Sequence, residues 1–154
     1  PLGRVRGTAV FMTISAEGTP PTLLHHVKHN HMLHEHVVLL TIRAADTPTV
    51  ADEDRLRIER LPSGFYRLVA WYGYMETPNV PKVMRLAACF GLPLEPTKTT
   101  YYLGRETLLT NGTSPMSPWR KTLFAFMSRN AANPAGYFGI PPNRVVELGA
   151  QIRL

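Results

Sequence analysis

The chain has 154 residues, 44% of them hydrophobic, and a net charge of +6 with a pI near 9.8. That length builds one domain with its own core, and the single cysteine, Cys89, excludes an internal disulfide framework and reads as a small core residue in a reducing compartment. No run approaches the ~20 apolar residues that cross a bilayer, no secretory signal is visible, and the basic residues are scattered. A polybasic nucleic-acid strip is therefore not expected, and an anionic ligand or surface is the partner the charge favours.

Residues 1–3 read as an expression scar and carry no weight. Residues 7–13 have a buried-strand pattern. Gly18, Pro20 and Pro21 break the chain over 15–21, and 21–30 forms a helix that turns Leu23, Leu24 and Val27 toward the sheet. Residues 37–43 are a second buried strand. Strand, helix and strand over this length predict a right-handed βαβ unit with parallel pairing. Polar residues 44–54, with Pro48 among them, form a loop.

Leu56 and Ile58 alternate along 56–60, and Leu61-Pro62-Ser63-Gly64 is a hairpin connection into the next strand. Residues 65–74 are apolar on both alternating faces except at Arg67. That pattern predicts a strand covered on both sides, near the middle of the sheet. Gly73 marks its end. Asn79 is an N-cap with Pro81 in the first turn; Val80, Val83, Met84, Ala87 and Phe90 then share one helical face, and Gly91 and Pro93 stop the helix.

A short strand follows over 100–105, with 106–109 continuing beyond Gly104. Residues 110–118 are a polar loop, and 118–130 a helix capped by Ser117. Its stripe is Trp119, Leu123, Phe126 and Met127, with Phe124 off it. Residues 133–143 are irregular and 145–154 form a final strand. The predicted fold class is α/β, a mixed sheet with a parallel βαβ unit and a hairpin and with helices packed on the sheet, as a single domain over 1–154.

Motifs for catalysis are missing from this sequence. It has no phosphate loop, no nucleophile elbow and no His-Glu-x-x-His pair, so no enzyme activity and no cofactor are expected. His25 and His29 are four apart on one helical face, a spacing that suits zinc, but no cysteine or second ligand pair completes a closed site. No metal is expected, and this pair is the alternative. An anion or nucleotide is best received at the carboxyl ends of the parallel strands. Thr13 and Ser15 after the first strand, Arg43 at the end of the second, and Arg105 are the candidate ligands. Phe124, Tyr137 and Phe138 are candidate contacts of a homodimer.

Several segments together resemble a known family. They are 4–12 (RVRGTAVFM), Leu23-Leu24-His25 with Lys28-His29-Asn30, Leu33-His34-Glu35, Gly73-Tyr74-Met75-Glu76 with Asn79-Val80-Pro81, 102–106 (YLGRE) and 141–149 (PPNRVVELG). In this order they resemble the cytoplasmic C-terminal domain of the KUP/HAK/KT potassium-uptake permeases. The resemblance implies a soluble regulatory and assembly tail on the cytoplasmic face of an integral membrane protein that takes up potassium with protons. The ion pathway then lies outside this chain, and the partners are the transmembrane part of the same polypeptide and a regulatory nucleotide. The alternative is a stand-alone nucleotide- or metal-binding module, or an enzyme.

Overall fold

The computed structural model describes residues 2–13, 17–104, 136 and 138–148, and the fold is given for these. In chain order they form β1 (Gly3–Met12), α1 (Pro21–Asn30), β2 (Met32–Ala44), the one-turn helix α2 (Asp52–Arg55), β3 (Leu56–Arg60), β4 (Phe65–Tyr72), α3 (Val80–Cys89), β5 (Thr99–Gly104) and β6 (Val145–Leu148). The strands make one sheet in the order β3-β4-β2-β1-β5-β6. Only β3 runs antiparallel, paired with β4.

The βαβ expectation holds. β1 and β2 are parallel neighbours, with Ala9 opposite Val37 and Met12 opposite Leu40, and α1 spans the two prolines' exit and Asn30 as read from the sequence. The hairpin from β3 to β4 also holds. Its link turns through two left-handed residues, Ser63 and Gly64, and a Cβ on Gly64 would stand 2.5 Å from the Glu35 carbonyl oxygen, so only glycine lets the link lie against β2.

Each sheet face has its own core. Val10, Val38, Leu40, Leu68 and Tyr101 pack under α3, whose Val80, Val83, Met84 and Ala87 are fully buried. On the other face Ala9, Phe11, Val37, Leu39 and Tyr102 pack under Leu23 of α1. Asn79 caps α3 as expected, its Oδ1 accepting from the Lys82 N–H at 2.9 Å.

Four expectations are corrected. β4 ends at Tyr72, and it is second from the edge, not near the middle; β2 and β1 hold the centre because every other connection is built outward from their parallel pair. Leu24 faces solvent and His26 takes the buried position on α1, since a helix rich in histidine leaves the apolar face poorly defined by sequence. Phe90 lies beyond the last turn of α3 and is exposed. Cys89 is exposed too, because the helical period puts it on the side of α3 opposite the buried Val80, Val83, Met84 and Ala87. The expected helix over 118–130, the strand extension over 106–109 and the last six residues lie outside the described residues.

Candidate anion site

α1 covers the sheet over β1, β5 and the start of β2, and leaves the same face open farther along β2, β4 and β3. Alternation brings three rows of side chains to this open face. Leu39, Arg67 and Glu59 are cross-strand neighbours, as are Thr41, Val69 and Arg57, and Arg43 stands beside Trp71. The result is a cavity of about 350 Å³ lined by Glu17, Arg43, Arg57, Glu59, Arg67, Val69 and Trp71. Arg67 donates to Glu59 at 3.3 Å. Among the described residues neither Arg43 nor Arg57 has an ion pair or side-chain hydrogen bond. Two guanidiniums outside any ion pair among the described residues, beside an indole, suit a ligand with an anionic group for the forks and a flat apolar part for the ring.

Next to this cavity, a buried ion pair fixes the carboxyl end of β4. Arg55 is 2% exposed, and all five of its N–H donors are used. Nε donates to Asp52 at 3.1 Å, Nη1 to the Trp71 carbonyl and Glu76 Oε2 at 3.1 and 3.3 Å, and Nη2 to the Val50 carbonyl and Glu76 Oε1 at 2.6 and 2.7 Å. Its guanidinium also lies 4.3 Å from the centre of the Tyr72 ring. Glu76 in turn accepts from the backbone N–H groups of Gly73 and Val50. The hydrogen bonds from Arg55 hold the Glu76 carboxyl below its usual range, and the bonds to Glu76 hold the guanidinium above its own. Gly73 is required here by a close approach: a Cβ would meet the Pro48 carbonyl oxygen at 2.2 Å. The clamp presents Tyr74 and Met75 to solvent, 60% and 76% exposed.

A second buried polar group lies under α1. His26 is 3% exposed; its Nδ1 is 2.9 Å from Asn30 Nδ2 and its Nε2 has no hydrogen-bond partner among the described residues. Phe11, Tyr102 and His34 surround the ring. Burial lowers the pKa of both His26 and His34, and each is kept neutral more readily than a free imidazole.

Of the residues picked from the sequence, Arg43 lines the cavity. Thr13 is half-buried at the end of β1, its N–H donating to the Leu40 carbonyl at 2.9 Å, and is not among the lining residues. Ser15 and Arg105 lie outside the described residues, as do Phe124 and Tyr137. Phe138 is 3% exposed and packs in the core under α3, so within this chain its ring is already covered. His25 and His29 stack with ring centres 5.9 Å apart, and among the described residues no three His, Cys, Asp or Glu side chains converge to hold a metal ion. Sequence reasoning missed Arg57, Arg67 and Trp71 as cavity residues. The hairpin register was the available signal, because it sets Glu59 against Arg67 on the face that also carries Arg43.

Comparison with known proteins decides the family. The sequence model described as "K+ potassium transporter C-terminal domain" matches residues 6–154. The chain belongs to this family. It is 59% identical over 98% of its length to the probable potassium transport system protein Kup 2 of Syntrophobacter fumaroxidans. It is 54% identical over 98% to the Kup protein of Myxococcus xanthus, and 50% identical over its whole length to Kup 1 of Geobacter sulfurreducens. The chain spans 24%, 23% and 25% of those relatives' own lengths, so it corresponds to one domain of each. No solved structure matches. Among the described residues no helix is long and apolar enough to cross a membrane.

Proposed function

We propose that this domain is the non-enzymatic regulatory and assembly tail of a potassium-uptake transporter that couples potassium to protons. It works on the cytoplasmic face, as a homodimer attached to the transmembrane part of the same polypeptide. Family membership and the Kup relatives, each about four times as long, support the transporter context. The observation that carries a regulatory role is the cavity on the open face of β2, β4 and β3, where Arg43 and Arg57, neither in an ion pair among the described residues, stand beside Trp71 with Glu17 and Glu59 on the same lining. Its volume is in the range of small-ligand sites, and its chemistry fits a nucleotide, with phosphate on the guanidiniums and base on the indole. Regulation then follows by population shift: the ligand must bind one arrangement of the tail better than another.

Calorimetric titration of the chain with a nucleotide panel tests this. Saturable heat and a raised melting temperature are expected, with Arg43→Ala weakening binding and leaving the fold intact. No heat at millimolar ligand and no change in melting temperature would remove the sensor role and leave assembly alone.

A further inference from the structure

Among the described residues β3 is an edge of the sheet, and its sequence Leu56-Arg57-Ile58-Glu59-Arg60 carries opposite charges at equal distances from Ile58. The hairpin register sets Arg57 opposite Val69 and Glu59 opposite Arg67. The Leu61 N–H donates to the Phe65 carbonyl at 2.9 Å, and hydrogen-bonded pairs recur at every second residue of an antiparallel ladder. The backbone groups of Arg57 and Glu59 therefore point at β4, while the N–H and C=O of Leu56, Ile58 and Arg60 point away from it, along the open edge. Arg57, Glu59 and Arg60 are all exposed.

We propose that this edge pairs with the same edge of a second copy, antiparallel, about a two-fold axis through Ile58. This inference rests on the homodimer reading above and names its surface. In that register Ile58 meets Ile58 of the second copy, Leu56 meets Arg60, and Arg57 meets Glu59 twice, once on each side of the axis. An isologous contact demands such self-complementarity, and opposite charges directly across an antiparallel pair stabilise it while like charges oppose it. Arg57, which has no ion pair among the described residues, gains its partner from the second copy, and Arg43 remains the guanidinium open to an anion in the cavity. Both copies turn the Arg57 and Glu59 side chains to the face of the cavity, so the two cavities join into one trough across the axis. On the opposite face, the exposed Phe90 adjoins Gly91, whose carbonyl accepts from Arg60 at 3.3 Å, and it adds apolar area at the same edge.

Sedimentation equilibrium on the chain tests the pairing with a charge swap. Wild type is expected to dimerise. Arg57→Glu alone and Glu59→Arg alone each place like charges across the axis twice, and each should weaken dimerisation on the order of tenfold or more. An equimolar mixture of the two variants restores both opposite-charge pairs and should recover dimers. Circular dichroism melts confirm that each variant folds, and recovery on mixing is itself incompatible with misfolding. If both variants dimerise as wild type does, the surface lies elsewhere and the homodimer reading survives. If wild type is a monomer at millimolar concentration, both fall. If the folded variants are monomers and the mixture stays monomeric, the register about Ile58 is wrong.

Discussion

Arg55 and Glu76, 21 residues apart, meet in a two-pronged ion pair, with Nη2 2.7 Å from Oε1 and Nη1 3.3 Å from Oε2. Neither residue is in a motif that the other explains. One belongs to a single helical turn before the edge strand, the other to the loop that leaves β4, and together with Asp52, Val50 and Trp71 they close the end of the sheet next to the cavity.

Removing one side of this pair strands the other. Arg55→Met leaves the half-buried Glu76 carboxylate with only its two backbone donors and no counter-charge from Arg55, and removes the guanidinium donors from the Trp71 and Val50 carbonyls. A loss of about 3 kcal/mol is expected, since breaking a buried pair costs more than the pair contributes. Glu76→Gln keeps one acceptor and should cost less. Urea denaturation of both variants and of the double variant measures the coupling, and additive losses would show that the pair does not act as a unit.

The pair also predicts acid behaviour. Glu76 has its pKa depressed below 4.5 in the folded chain, with the hydrogen bond from Arg55 as the largest cause. The unfolded state therefore takes up this proton first as pH falls. The stabilisation is present in full above the unfolded value, declines below about 4.5, and is gone once pH passes the folded value. In Glu76→Gln that part of the acid slope should vanish. Melting curves at intervals from about pH 6 down to about pH 3 check it.

His26 and His34 act in a higher window. Their folded pKa values lie below 6.5, chiefly through burial, so the folded state resists a proton that the unfolded state accepts. Stability is unaffected above 6.5 and falls as pH drops below it, down to the folded values. His26→Phe removes the buried nitrogen that lacks a hydrogen-bond partner among the described residues, and one titrating group. The variant should lose less melting temperature than wild type between about pH 8 and about pH 5.5. An unchanged difference would show that His26 does not titrate with folding.

Gly73→Ala tests the close approach at the end of β4. A methyl group would collide with the Pro48 carbonyl oxygen, backbone that cannot rotate away. A loss of about 2–3 kcal/mol is expected, as for overpacked positions. The crossing of the two loops would also shift, so amide exchange should quicken at Tyr74 and Met75, whose N–H groups donate to the Thr47 and Pro48 carbonyls at 3.0 Å. An alanine variant as stable as wild type would show that the loops accommodate a side chain.

The legible parts of the fold were those with local signals. Pro20 and Pro21 set the start of α1, and the left-handed His31 ends it directly after Asn30. Asn79 and Pro81 set the start of α3, and short sequence separation set the β1–β2 pairing and the β3–β4 hairpin. What escaped depends on contacts between distant segments. Arg55, between the polar loop over 44–54 and the strand over 56–60, carried no signal of its own because its carboxylate partner comes 21 residues later. Phe90 continued the apolar stripe of α3 but stands at its C-cap, beyond the last turn, and Cys89 lies on the outward side of the same helix. Arg43 was legible from its place at the end of a strand, whereas Arg57 and Arg67 became cavity residues only through the register that lines up three strands.

β1 is flanked on both sides by parallel neighbours, β2 and β5, and near its amino end Arg4 donates to the carbonyls of His34 and Ser63, at 2.9 Å each, with its guanidinium 5.7 Å from the centre of the Phe65 ring. A pull along β1 from that end would load two ladders at once in shear, so their hydrogen bonds would have to yield together and not one after another. Tension reaching the domain through Gly3 would be carried into the centre of the sheet before it disturbed the hairpin edge.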